Sequence, residues 1–114
     1  MIDFENLYKS NRDYIKELEN AAIRVINSGW YVLGDEVKQF EKEFAEYLGV
    51  KYCIGVASGL DALILSIEAL SFLKNSDILV ASNTYIATIL AIIKAGHNPV
   101  LVEPDEKTFN IDPK

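Results

Sequence analysis

A chain of 114 residues, half of them hydrophobic, has enough apolar side chain for one buried core and not for two. Its formal net charge of −6 and the lack of any Lys/Arg cluster argue against a nucleic-acid surface, which needs cations to neutralise phosphates. Residues 1–12 are too polar for a signal peptide, and the longest apolar stretch, 85–95, is too short to cross a bilayer. A soluble, cytoplasmic protein without a membrane partner is expected.

Residues 1–9 mix Ile2, Phe4, Leu7 and Tyr8 with charges and show no period, which predicts an extended arm. From Asn11 or Asp13 the spacing of Ile15, Leu18, Ala22, Val25 and Ile26 predicts an amphipathic helix, ended by Gly29 in a positive-φ cap. Trp30-Tyr31-Val32-Leu33-Gly34 then reads as an aromatic loop, either core packing or one wall of a pocket. Asp35 is placed to cap a second helix with Val37, Phe40, Phe44, Tyr47 and Leu48 as its apolar stripe and Gly49 at its close.

Residues 52–57, Tyr-Cys-Ile-Gly-Val-Ala, form an uncharged run of β-formers that predicts a buried strand, with Cys53 as a reduced core thiol. Ser58 or Gly59 supplies the turn into an apolar helix reaching to about Phe72, marked by Leu60, Leu63, Ile64 and Ile67. Such a strand–turn–helix aims free backbone N–H groups and a positive dipole end at one point, which suits an anion without any lysine. It is equally the shape of an ordinary strand–helix junction with a cap.

After a turn at 74–77, a second strand is expected at 78–81, a helix at 86–95 ended by Gly96, and a third strand at 100–103. The alternation implies right-handed crossovers and a parallel sheet. Both later helices are apolar nearly all round, so further structure should cover them. Asp112 and Pro113 look like the cap and first residue of another helix, and the chain reads as unfinished. In parallel sheets, ligands bind beyond the carboxyl ends of the strands. Those ends carry Ser58-Gly59-Leu60-Asp61 and Ser82-Asn83-Thr84-Tyr85, a set of backbone donors and an aromatic ring. A flat, phosphorylated ligand fits that pair better than it fits either alone.

Asp61 also reads as a first-turn acid favourable to the helix dipole, and Tyr85 as a core aromatic. Asn83 and Thr84 read chiefly as caps of the next helix. His97, just past Gly96, reads as a loop histidine, and no metal site is expected because no second ligand clusters with it.

Several blocks in order carry a resemblance. They are Ser28-Gly29-Trp30-Tyr31-Val32-Leu33-Gly34 with Val37, Phe40, Glu41, Phe44 and Ala45, then Gly55-Val56-Ala57-Ser58-Gly59-Leu60-Asp61-Ala62-Leu63. Asn83-Thr84-Tyr85-Ile86-Ala87-Thr88 and Phe109-Asn110-Ile111-Asp112-Pro113 follow. From Ile2 to its last residue the chain resembles the N-terminal portion of the DegT/DnrJ/EryC1/StrS family of pyridoxal-phosphate-dependent sugar aminotransferases.

The resemblance implies an α/β fold, the first part of the type I aminotransferase large domain with a parallel-rich sheet and covering helices. Residues 1–34 would form an arm, helix and aromatic loop, and 35–114 the start of the cofactor-binding domain. Also implied are a pyridoxal 5'-phosphate cofactor, glutamate as amino donor, a homodimer, and a nucleotide-linked keto sugar as substrate. The Gly-Leu-Asp-Ala-Leu and Asn-Thr-Tyr-Ile-Ala-Thr forms look most like members acting on dTDP-3-keto-6-deoxyhexoses, in deoxysugar and polysaccharide (O-antigen) biosynthesis. Gly59, Leu60 and Asp61 match the turn that holds the cofactor phosphate through backbone N–H groups, and Tyr85 matches the residue stacked on the pyridine ring. Many relatives carry Thr at the position of Leu60, so a hydroxyl contact is lost there.

Trp30 and Tyr31 are candidates for lining the sugar side of the site across a dimer interface. No catalytic residue is expected within the chain, because the family's Schiff-base lysine lies in a part of the fold not represented here. Lys38, Lys42, Lys51, Lys74 and Lys94 fall on a solvated helix face, in turns or near a helix end. The alternative reading is a small non-catalytic α/β module that binds a partner or self-associates through its apolar helices.

Overall fold

The structure, a computed structural model, describes residues 4–113. The expectations that fall on Met1, Ile2 and Lys114 lie outside the described residues. The chain divides into two compact units, Met1–Gly55 and Val56–Lys114.

The first unit is helical. A short helix α1, Leu7–Asn11, runs through a 3-10 turn at Arg12–Tyr14 into α2, Ile15–Ser28. Residues 7–9 are therefore helical and not an extended arm. The reason is Asn6, whose Oδ1 accepts from the Lys9 N–H at 2.9 Å and satisfies one of the donors a helix start leaves open. Gly29 ends α2 with φ 67°, donating its N–H to the Ile26 carbonyl at 3.2 Å. Arg24 on α2 meets Glu36 through two bonds of 2.8 and 3.2 Å, and this hydrogen-bonded pair holds the Glu36 carboxyl below its ordinary range. Both groups are exposed, so the pair sets geometry more than stability.

Helix α3, Asp35–Leu48, begins one residue differently from expectation. Gly34 is the cap residue, and Asp35 lies in the first turn, where its carboxylate takes Lys38 Nζ at 2.9 Å. The packed face of α3 also differs from the expected aromatic stripe. Ala45 is buried and Val37 and Glu41 are half-buried, whereas Phe40, Phe44 and Tyr47 stack along an exposed face with centroids 5.4 and 6.2 Å apart.

Residues 52–57 are neither a strand nor buried, and Cys53 is half-buried. A strand exists only by pairing, and among the described residues no ladder reaches this segment. The Gly55 N–H is instead taken by the Glu41 carboxylate at 2.7 Å. Glu41→Ala should therefore cost about 1.5–3 kcal/mol, the worth of a hydrogen bond to a charged group, and Glu41→Gln clearly less. Urea denaturation of the pair checks this; equal losses would show that the negative charge of the carboxylate, and not an oxygen acceptor as such, matters.

The second unit is a compact α/β arrangement: α4 Gly59–Ala69, β1 Asp77–Ala81, α5 Ile86–Lys94 and β2 Asn98–Val102. The strands pair in parallel, from Asp77 opposite Asn98 to Ala81 opposite Val102, with α5 as the crossover. Helix α4 packs on α5, and the core gathers around Val80, Ala91 and Ile92. Helix α4 ends short of the expected Phe72, because Ser71 turns left-handed at φ 52° and its N–H closes on the Glu68 carbonyl. Beyond β2 the chain folds back on itself, with Pro104 bridged antiparallel to Ile111. Asp112 donates its N–H to the Glu103 carbonyl at 3.3 Å. Among the described residues no helix is long and apolar enough to cross a membrane.

Candidate functional site

The start of α4 is built by its own sequence. Ser58 is extended (φ −158°, ψ 164°), which suits a cap residue, and its Oγ accepts from the Asp61 N–H at 3.2 Å. The same hydroxyl donates to the Asp61 carboxylate at 2.8 Å. The first intrahelical bond runs from the Ala62 N–H to the Ser58 carbonyl. By helix geometry the N–H groups of Gly59 and Leu60 then have no intrahelical acceptor. A Cβ placed on Gly59 would meet nothing within 4 Å, so there is open space beside the first of these donors. Gly59, Leu60 and Asp61 thus come together, but they are not equivalent: two offer free amides, while the third is engaged by Ser58. The Ser-x-x-Asp spacing of a capping box was the signal in the sequence that singles out Ser58.

A shallow hollow of about 300 Å³ lined by Val56, Ala57, Asp61, Ile64 and Leu65 adjoins this turn. Cavities of about 380 and 420 Å³ share no lining residue with it. The first lies between α3 and residues 50–53, and the second between the end of α4 and His97. Volume alone would favour those two, but neither holds a helix N-terminus. His97 sits in the turn after α5, its ring edge-on to Phe72 at 6.0 Å and its Nδ1 without a hydrogen-bond partner in the protein.

Tyr85 is the cap residue of α5, extended at φ −67°, ψ 141°, with 79% of its surface exposed. It belongs to the same unit as the α4 turn, at the carboxyl end of β1, and it is not a core aromatic. The capping expected of Asn83 and Thr84 is not observed. Asn83 Nδ2 donates to the Phe109 carbonyl at 3.3 Å, and the Thr84 and Thr88 hydroxyls pair at 3.0 Å.

Trp30 and Tyr31 lie in the other unit. Trp30 Nε1 donates to the Val32 carbonyl at 2.7 Å, the Tyr31 hydroxyl to the Ile26 carbonyl at 3.2 Å, and Lys38 Nζ stands 5.3 Å from the indole centroid. Gly34 is buried beneath, where a Cβ would come within 3.0 Å of the Trp30 carbonyl. The loop is thereby ordered by local bonds while both rings remain exposed. Lys38, Lys42, Lys51, Lys74 and Lys94 are all exposed. Among the described residues no three metal-ligating side chains form a group.

The description of the DegT/DnrJ/EryC1/StrS aminotransferase family matches residues 12–114. The chain belongs to that family. It is 57% identical to a dTDP-3-amino-3,6-dideoxy-alpha-D-galactopyranose transaminase of Aneurinibacillus thermoaerophilus, over 99% of this chain and 31% of that protein. The crystal structure of DesV from S. venezuelae superposes with a TM-score of 0.90 at 39% identity, covering 98% of this chain and 30% of that one. NtdA of Bacillus subtilis, solved with bound cofactor PMP, gives 0.82 at 31% identity over 89% of this chain and 23% of that one. The chain thus spans about a quarter to a third of the length of these relatives and forms part of an α/β domain. A freestanding non-catalytic module is not favoured by these matches.

Proposed function

We propose that this chain is the cofactor-phosphate part of a pyridoxal-phosphate-dependent sugar aminotransferase. Its substrate would be a nucleotide-linked keto sugar of the dTDP-3-keto-6-deoxyhexose class, with glutamate as amino donor and a homodimer as the working assembly. Residues 1–34 then form the arm, helix and aromatic loop, and 35–114 begin the large domain. The reading is carried by the open pair of amides at Gly59 and Leu60, at the start of an apolar helix whose cap is already made by Ser58. Two donors and a helix dipole suit a dianionic phosphate. Asp61 contributes its amide only if Ser58 releases it, and its carboxylate stays turned onto the Ser58 hydroxyl. Tyr85 offers a face for a flat ring, and Trp30 and Tyr31 serve the sugar side. A bound pyridoxal ring supplies the electron sink for amino-group transfer. This chain's part is to hold the phosphate, orient the ring and leave the lysine chemistry to another segment.

Titration of the chain with pyridoxal 5'-phosphate and with pyridoxal tests the reading. The phosphorylated ligand should bind on the order of tenfold tighter or more, given about 1.5–3 kcal/mol for a hydrogen bond to a charged group. Borohydride reduction and mass spectrometry should show no single favoured lysine. Equal binding of the two ligands would remove the phosphate site from this turn, and a stoichiometric adduct at one lysine would place the chemistry inside the chain.

A further inference from the structure

The loop between β1 and α5 has the residues of a helix cap and does something else with them. Its backbone is fixed at two points: the Ser82 N–H extends the ladder to the Val102 carbonyl at 2.9 Å, and the Thr84 N–H closes on the Ala81 carbonyl at 3.1 Å. Thr84 spends its hydroxyl on Thr88, and Asn83 reaches outward to the Phe109 carbonyl at 3.3 Å. Because the partner is a carbonyl oxygen, the amide nitrogen of Asn83 must face it.

What Asn83 grips is stiff. The Asp105 carboxylate accepts from the N–H groups of Lys107 and Thr108 at 3.0 and 2.8 Å. The backbones of Asp105 and Phe109 bond at 2.9 Å, and those of Asp105 and Asn110 at 2.8 Å. Phe109 is held at φ 58°, a conformation that a bulky residue keeps only where its surroundings over-determine it. These bonds to Thr108 and Lys107 also hold the Asp105 carboxyl below its ordinary range, so the turn keeps its charged acceptor to lower pH than a free aspartate would.

We propose that Asn83 is a positioning residue for Tyr85. By donating to the Phe109 carbonyl it anchors the loop after β1 to the rigid turn after β2, and thereby sets where the Tyr85 ring stands for a flat ring of the ligand. The inference rests on the reading of Tyr85 given above. Tyr85 is two residues along from Asn83, and among the described residues its exposed ring stacks on no other aromatic ring. Its placement is therefore the placement of the loop.

Inorganic phosphate and pyridoxal 5'-phosphate separate the two contributions, since phosphate reports the α4 turn alone. The wild-type chain should bind pyridoxal phosphate more tightly than phosphate. Asn83→Ala and Asn83→Asp, neither of which donates, should lose about three- to tenfold in pyridoxal phosphate affinity and nothing in phosphate affinity. Tyr85→Ala should lose the same surplus, and Asn83→Ala added to it should cost little more, because the two act as one unit. A general loss of structure would lower both affinities together, and circular dichroism of each variant checks for it. A surplus that survives in Asn83→Ala, or full additivity with Tyr85→Ala, overturns this inference alone. A wild-type chain that binds both probes equally, or neither, overturns the Tyr85 reading and this inference together.

Discussion

A proline at position 59 should leave α4 folded and cost the chain its affinity for the phosphate of pyridoxal 5'-phosphate. Gly59 is the first residue of the helix, the position where proline is favoured because its missing N–H has no intrahelical acceptor. The preceding Ser58 is already in the extended conformation that a following proline demands. Space is available as well, since a Cβ at Gly59 meets nothing within 4 Å. Gly59→Pro therefore deletes one donor from the cradle and little else, and it also narrows the unfolded ensemble. Losing a hydrogen bond to a charged group is worth about 1.5–3 kcal/mol, so affinity should fall about 10- to 100-fold while thermal stability holds or rises. Gly59→Ala keeps the N–H and should bind as the wild type does. If Gly59→Pro binds pyridoxal phosphate normally while its circular dichroism is unchanged, the phosphate does not sit on this turn.

What the sequence made legible was local. Gly29 and Gly49 were readable as helix ends because only positive φ explains a glycine there, and both adopt it at 67° and 68°. The segments β1, α5 and β2 were readable from short apolar runs between turn residues. The Ser58 turn was readable from the same logic, with Gly59, Leu60 and Asp61 in register.

The misreadings share a different cause. Residues 52–57 have the composition of a buried strand, but pairing depends on a partner that composition does not reveal, and Glu41 supplies a side-chain acceptor in place of a ladder. The stripe of Phe40, Phe44 and Tyr47 has helical period, yet the face that packs is the one carrying Ala45, with a glutamate at its middle. Asn83 has the chemistry of a cap, and its actual acceptor lies at Phe109, 26 residues further along the chain. Periodicity and propensity report what a residue is suited for; which distant atom it meets is a property of the fold.

Ile92→Ala should be the most damaging conservative change in the second unit. Ile92 is 2% exposed, the largest fully buried side chain among the described residues, and it lies on α5, the helix that packs against α4 and both strands. Truncating a buried isoleucine to alanine costs about 2–5 kcal/mol, the spread reflecting how far the neighbours close the cavity. The backbone adds a second constraint: the Ile92 carbonyl accepts the His97 N–H at 3.0 Å, which pins the turn that leads α5 into β2. Against a typical domain stability of about 5–15 kcal/mol, such a loss is a large share, and less is in reserve where few side chains are fully buried. Leu101→Ala, at a position 57% exposed, removes as many methylene-sized groups from largely solvated ground and should cost far less. Denaturant melts of the two variants check the contrast. Equal shifts in midpoint would mean that the core of this unit is not where Ile92 lies.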